Sequence, residues 1–298
     1  MRSDNLNMLY DTLRILDQGY YTVDGKRVPL KLNREDMRNI RVFLPEDVKR
    51  IEESRELDLV HNTTDGICIS CTNEDSFSCA LRIVESQKKR TVDPVAPLVL
   101  NFANPVHPGG GVRRGATAQE EDLCRKSSLL LSLESQAAAP YYRYNDSLHT
   151  MMASDAMMIT PKVEILKDVH GKLLPESAVV SVMTCAAPMI RYGLEGYSEE
   201  EYETLFYNRI VRMLKVAAYL GYRVLVLGAF GCGAFRNDAK LVSDLFCRAL
   251  KEFDFDGRKA KDCFSKIDFA VLDHSPDLYN FHEFSRDFGD SHHEEDKA

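Results

Sequence analysis

Glu120 and Glu121 stand side by side at the end of the run Gly109-Gly-Gly-Val-Arg-Arg-Gly-Ala-Thr-Ala-Gln-Glu-Glu121. A carboxyl group that stays protonated near neutrality can deliver a proton to a departing oxygen, and its anion then stabilises a neighbouring cation. Gly109, Gly110 and Gly111 lack a Cβ, so their amides can approach a ligand closely. A phosphate-friendly loop running straight into acids points to a ligand that carries both a phosphate and a bond needing a proton for cleavage. Burial raises a carboxyl pKa, whereas a helix N-terminus and nearby arginines lower it. Ligand closure is expected to desolvate one of the two glutamates enough to protonate it. Successive residues at a helix start diverge by about 100°, so the two are not expected to work as an acid and a base across one bond.

A second anion-binding pattern is Gly228-Ala-Phe-Gly-Cys-Gly-Ala-Phe-Arg-Asn237. It follows the strand-like Arg223–Leu227 and precedes a helix to be capped by Asn237 or Asp238. Glycines at 228, 231 and 233 let the chain curl so that several amides point inward as a nest. The following helix start adds partial positive charge, and a pyrophosphate is the natural guest. The order Gly-x-x-Gly-x-Gly is not the dinucleotide fingerprint, and no Lys-Ser or Lys-Thr follows as in a Walker loop. Asn101 and Asn104 end the strand that feeds the triple glycine; their amides suit ribose hydroxyls and suit turn-making equally. His107 reads as a loop residue. Thr64 and Asp65 follow the first core strand and are candidates for adenine contact. Arg113 and Arg114, inside the glycine loop, are placed to touch ligand or polymer as readily as solvent.

The run 109–121 resembles the signature of bacterial-type poly(ADP-ribose) glycohydrolases: a glycine triplet, a short spacer, then Gln-Glu-Glu. The likeness extends through Leu98–Ala103, Asn104-Pro105 and Leu123–Ser128. The block 228–237 resembles the diphosphate loop of the macrodomain fold on which those enzymes are built. The likeness covers residues 55–275 and is looser outside them. It implies an α/β macrodomain-like mixed sheet flanked by helices, and hydrolysis of ribose–ribose O-glycosidic bonds in poly(ADP-ribose) to release ADP-ribose. By the same resemblance Glu121 is the proton donor, Glu120 orients a ribose hydroxyl and Gln119 supports the loop. At least one of Asn101 and Asn104 holds ribose hydroxyls, and Gly109–Gly111 approach the diphosphate and scissile ribose. Gly231, Cys232, Gly233 and Ala234 cradle the diphosphate, and Phe235 lies beside the terminal ribose, with Phe230 in the core. The scheme requires no metal and no cofactor. Two further readings share the pocket: removal of single ADP-ribose groups from protein or nucleic acid, and recognition of ADP-ribose without cleavage. A nucleotide-dependent oxidoreductase would need the missing fingerprint.

These residues must be carried by regular elements. Leu6, Leu9, Leu13 and Leu16 give residues 2–18 the spacing of an amphipathic helix. Tyr20–Leu32 reads as a hairpin turned at Asp24-Gly25, and Pro45–Glu56 as another helix. Residues 1–56 are therefore expected to form a mainly helical cap on a catalytic domain spanning 57–290, because so short a piece is marginal alone. Strands are predicted at Leu57–Val60, Ile67–Cys71, Leu98–Ala103, Val179–Ala186, Val224–Leu227 and Ile267–Leu272. Helices are predicted at Asn73–Gln87, Glu121–Leu133, Ser198–Leu220, Asp238–Phe253 and Pro276–Phe288. Ser198 with Glu201 makes a capping box. The stretch 134–178 lacks a clean period and reads as an irregular insertion with some strand; the tail 291–298 is expected to fray.

Across 298 residues, 44% hydrophobic and 28% charged content fit a globular protein with a sizeable core. No apolar run approaches the ~20 residues of a membrane helix, and the start lacks a secretory signal, so a cytoplasmic address is expected. The net charge of −8 argues against direct nucleic-acid binding, so any phosphate is expected to be held by amides and helix ends. The expected partners are ADP-ribose polymers or ADP-ribosylated macromolecules. Cys68 and Cys71 have metal-ligand spacing, but no second pair appears, and the alternation in Ile67–Cys71 suits a strand with buried free thiols.

Overall fold

The computed structural model describes residues 2–54, 66–88 and 95–289. The expected strand Leu57–Val60, the adenine candidates Thr64 and Asp65 and the tail 291–298 lie outside them. The chain opens with α1 (Arg2–Gln18), the hairpin β1 (Tyr20–Val23) and β2 (Lys26–Pro29), β3 (Arg41–Phe43) and α2 (Pro45–Glu53). The hairpin turns where expected, with Asp24 and Gly25 both at positive φ, the geometry that suits a two-residue turn. Then come β4 (Cys68–Thr72), α3 (Ser76–Lys88), β5 (Leu98–Phe102), α4 (Gln119–Lys126), α5 (Leu129–Leu133) and α6 (Ala139–Ser147). The second half holds β6 (Met157–Lys167), β7 (Leu173–Cys185), α7 (Glu199–Tyr219), β8 (Val224–Leu227), α8 (Ala239–Glu252), α9 (Ala260–Cys263), β9 (Lys266–Ala270) and α10 (Tyr279–Phe288).

Among the described residues, seven strands form a mixed sheet in the order β3-β6-β7-β5-β8-β9-β4. Only β6 runs against its neighbours, pairing antiparallel with β3 and β7 while the remaining pairs are parallel. Alternation along the central strands splits the core. Leu98, Leu100, Leu225 and Leu227 face one apolar cluster with α7, α8 and α10. Val99, Val224 and Val226 face the other, with α3, α4, α5 and α6. This is a three-layer α/β arrangement whose ligand region lies at the carboxyl ends of the parallel strands. No helix among the described residues is long and apolar enough to cross a membrane.

Two expectations need correction. The stretch 134–178 is not an irregular insertion: it holds α6, all of β6 and the start of β7. A register shift between Thr160 and Val163 swaps the faces of β6. Met157 and Ile159 point to one core cluster, whereas Val163 and Ile165 point to the other. Pro161 sits in that bulge, a position where a missing N–H costs no ladder bond, and the swap destroys any simple period of two. Nor does one helix span 121–133. Ser127 leaves the helix in an extended conformation and bridges Ile165, while the Ser128 amide donates to the Glu164 carbonyl at 3.0 Å.

The front residues are woven into the main fold. β3 is an edge strand of the large sheet, so residues 1–56 and 57–290 share one hydrogen-bonded framework. Glu164, fully buried on β6, accepts from the amides of Lys31 and Leu32 and from Ser177 Oγ. On α1, the Thr12 hydroxyl donates to the Arg125 carbonyl at the end of α4 (2.5 Å). Lys167 Nζ, nearly inaccessible, donates to the Met8 carbonyl and Thr12 Oγ1 and pairs with Asp11 at 2.9 Å. Asn5 Nδ2 and Arg2 Nε donate to the carbonyls of Gly115 and Arg114. Helix α1 therefore braces both ends of the segment that carries Glu120 and Glu121. Thr12→Val strips a buried ammonium and a buried carbonyl of one partner each, so chemical denaturation should show a loss of about 1–3 kcal/mol; an unchanged midpoint would mean that the brace carries no load.

Candidate active site

Helix α4 begins with Ala118 as its N-cap, a residue with no side-chain acceptor. Glu120, Glu121 and Asp122 occupy its first turn and Arg125 and Lys126 its last, complementing the macrodipole at both ends. Gln119 fastens this helix to the sheet. Its Oε1 accepts from the Phe102 amide at 2.9 Å, and its Nε2 donates to the Leu100 carbonyl (2.7 Å) and Ser76 Oγ (3.0 Å). Its amide is thus engaged within the protein, bracing the end of β5 against the start of α4.

The three glycines have their own work. Gly109 and Gly110 hold φ of +66° and +57°, in the left-handed region that disfavours L side chains. A Cβ on Gly110 would lie 2.5 Å from Glu121 Oε1 and 3.1 Å from Glu120 Oε2. The close approach that bare backbone permits is made to the protein's own carboxylates. Although the two side chains leave α4 in different directions, both curl onto the same glycine. The Gly111 amide donates to Glu121 Oε1 at 2.7 Å. Glu120 Oε2 accepts from the Asn104 amide at 2.8 Å, and its Oε1 from Asn101 Nδ2 at 3.3 Å. Asn101 is fully buried and also donates to Thr184 Oγ1 (3.2 Å), so it orients Glu120. Asn104 lines the open cavity, its Oδ1 accepting from the amides of Val106 and His107.

The two acids differ electrostatically. Burial, above all, pushes the Glu120 carboxyl up to about 8, and the neighbouring Glu121 charge adds to it against the Asn104 and Asn101 hydrogen bonds. Glu121 Oε1 is held, but its Oε2 is buried and has no hydrogen-bond partner among the described residues. Glu120 therefore keeps its own proton near neutrality.

Facing them is the loop after β8. Gly231 adopts φ +79°, and a Cβ there would fall 2.3 Å from Asn237 Nδ2. Asn237 pins the loop: its Nδ2 donates to the carbonyls of Pro188 and Gly231, and its Oδ1 accepts from Tyr202 OH at 2.7 Å. Asp238 caps α8, accepting from the Leu241 amide. The amides of Gly231, Gly233, Ala234 and Phe235 donate to no acceptor among the described residues, whereas the Cys232 amide donates to the Ala229 carbonyl. The Cys232 thiol is buried and pushed well up by burial. Phe230 is in the core between Phe102 and Phe206, and Phe235 lines the cavity.

Glu120, Glu121 and this loop wall one cavity of about 710 Å³. Part of its lining comes from segments that sequence reasoning passed over as site residues: Asp75 and Ser76 after β4, Val169 before β7, and Val271, Leu272, His274 and Asn280 around the β9–α10 turn. Position beyond a parallel strand's carboxyl end was the available signal. Lys126, 3% exposed, lines the wall behind Glu121 with its Nζ on Asp122 (2.6 Å). His107 and Arg113 stand away from it; Arg113 forms a two-pronged pair with Glu134. Cys68 is exposed rather than buried, because β4 is the sheet's edge.

Residues 10–168 match the family profile of the microbial-type PARG catalytic domain. The chain is 31% identical to a poly(ADP-ribose) glycohydrolase from Thermomonospora curvata, over 96% of this chain and 100% of that one, with a TM-score of 0.84. The same protein bound to the inhibitor ADP-HPD matches at 31% identity, the same coverage and a TM-score of 0.82. A poly(ADP-ribose) glycohydrolase from Deinococcus radiodurans in complex with ADP-ribose is 34% identical over 87% of this chain and 98% of that one, with a TM-score of 0.73. No curated protein matches the chain significantly.

Two outcomes follow from the geometry. Gly110→Ala must leave its positive φ or displace both carboxylates, so activity should fall steeply while the protein loses about 1–3 kcal/mol; a fully active variant would show that the glycine is dispensable. Glu120 holds a proton in the folded state that the unfolded chain has already shed, from the ordinary carboxyl range up to about 8. Wild-type stability therefore falls as pH rises through that window. In Glu120→Gln this fall should be absent, so urea unfolding at pH values on either side of the window should show the variant gaining on wild type towards alkaline pH; parallel pH profiles would contradict it.

Proposed function

The chain belongs to the microbial-type poly(ADP-ribose) glycohydrolases, and we propose that Glu121 supplies the proton with which it cleaves the ribose–ribose O-glycosidic bond. The observation that carries this is the Glu121 carboxyl: one oxygen fixed by the Gly111 amide at 2.7 Å, the other buried and unpartnered on the wall of the cavity. A buried polar atom without a partner is costly unless a ligand or water completes it.

The terminal ADP-ribose unit lies along the cavity. Its diphosphate takes the unclaimed amides of Gly231, Gly233, Ala234 and Phe235, which suits a chain that carries a net charge of −8 and binds anions through backbone. The adenine rests at the β9–α10 end, where Leu272 leaves 43% of its surface exposed next to His274 and Asn280. The terminal ribose fits between Phe235 and the acid pair, with Asn104 at its edge.

Glu121 transfers its proton to the glycosidic oxygen as the anomeric carbon–oxygen bond breaks and that electron pair leaves with the oxygen. Glu121 is left as a carboxylate as positive charge develops on the sugar. A carboxylate beside an oxocarbenium-like ring opposes that charge where it forms. Water then adds to the anomeric carbon, and its proton returns to Glu121. Glu120 sets the charge of the pair, and Asn101 and the Asn104 amide hold it in place.

Glu121→Gln should lower turnover of poly(ADP-ribose) by about 10²–10⁴-fold, the contribution of one positioned proton donor, with ADP-ribose affinity largely kept. Near-normal turnover would remove Glu121 from the role.

A further inference from the structure

A hollow of about 410 Å³ opens behind the catalytic loop, lined by Arg2, Gly111, Arg114, Gly115, Ala116 and Thr117. Thr117 also belongs to the main cavity, so the two spaces adjoin. Gly111 is the partition. Its amide faces Glu121 Oε1, and its Cβ position lies 3.5 Å from that oxygen and 4.0 Å from Arg114 Nη2. A guanidinium and the carboxyl of the proposed proton donor therefore both approach one side-chain-free residue.

Arg113 is neutralised by Glu134 at 2.6 Å, but neither Arg114 nor Arg2 has a carboxylate within ion-pair distance among the described residues. Arg2 is fixed in place by its own Nε, which donates to the Arg114 carbonyl at 2.9 Å. Gly115 holds φ +74°, and a Cβ on it would meet the Arg2 carbonyl at 2.8 Å; the N-terminal helix is pressed against the loop to form this wall. In a protein with eight more negative than positive charges, two arginines left unneutralised beside the acid pair form a local anion site.

The reaction places an anion there. A proton donor must face the glycosidic oxygen, which departs with the rest of the polymer, so the departing chain lies on the Glu121 side of the cut. We propose that this hollow receives the diphosphate of the departing ADP-ribose unit, with the Arg114 guanidinium as its principal ligand and Arg2 beside it. The proposal rests on the hydrolase reading of the main cavity and adds to it the feature that distinguishes a polymer from an ADP-ribose bearing a small leaving group. Arg114 would act as a specificity residue: it holds the leaving chain and leaves the terminal unit untouched.

The test compares poly(ADP-ribose) with ADP-ribose carrying a neutral aryl leaving group, both hydrolysed by the full chain. Arg114→Ala should raise KM for the polymer about five-fold, the worth of one partly exposed charged contact, with kcat little changed. The same variant should keep its KM for the aryl substrate and its affinity for free ADP-ribose. Arg114→Lys should restore most of the polymer KM, and Arg113→Ala should match wild type on both substrates. Equal losses on the two substrates, or no loss on the polymer, would overturn the assignment. Failure of the wild type to cleave either substrate would instead defeat the hydrolase reading, and this one with it.

Discussion

Placing two carboxyl groups against each other inside a protein is unfavourable, because each loses hydration and repels the other. Here the penalty is met in three ways. The amides of Asn104 and Gly111 donate to one oxygen of each glutamate. Asn101 donates to a second oxygen of Glu120. Glu120 keeps its own proton near neutrality, its carboxyl pushed up to about 8. None of this geometry survives a side chain at Gly110, where a Cβ would lie 2.5 Å from Glu121. The rest of the scaffold can be understood as what holds α4 and this glycine in register: the Gln119 staple to β5, the break at Ser127 that anchors α4 to β6, and the brace from α1.

The two sides of the cavity perform separate tasks with different materials. The loop after β8 offers backbone amides to an anion and is pinned by Asn237 between Tyr202 and Pro188, so little ordering is left to be done on binding. The α4 side offers the two carboxyl groups, of which Glu120 is pushed up to about 8. The unclaimed amides and the buried acids therefore stand on separate walls of the cavity. This arrangement also lets an acidic chain bind an anionic polymer without a broad basic surface.

Much of this was legible in the sequence, and the failures are instructive. The glycine triplet with Gln-Glu-Glu and the 228–237 glycines announced both walls of the site, because glycine spacing and paired acids carry their chemistry locally. Phe230 as core and Asp238 as a possible cap were readable for the same reason. The role of Asn101 was not: only the fold shows that its strand is covered on both faces, so that its amide meets Glu120 and Thr184. The same holds for Leu272, His274 and Asn280, which no motif marks and which reach the cavity because β9 ends there. In the fold, β6 was hidden by the face swap around Pro161, and β3 by its length of three residues. The continuous helix predicted over 121–133 fails because Ser127 has a better partner in β6, a long-range pairing that no local pattern encodes. The contacts that tie the front residues to the main fold were hidden for the same reason: Glu164, Lys167 and Thr12 reach across it to partners more than a hundred positions away in sequence.

The central claim is that Glu120 holds a proton at neutral pH beside Glu121, whose free oxygen faces no partner among the described residues. Carbon-13 NMR of glutamate side chains in wild type and in Glu120→Gln, followed across pH, reports that proton directly. The account predicts that wild type retains one protonated glutamate carboxyl until about pH 8, and that this signal disappears in the variant. Two glutamates already fully ionised at pH values well below neutrality would contradict it.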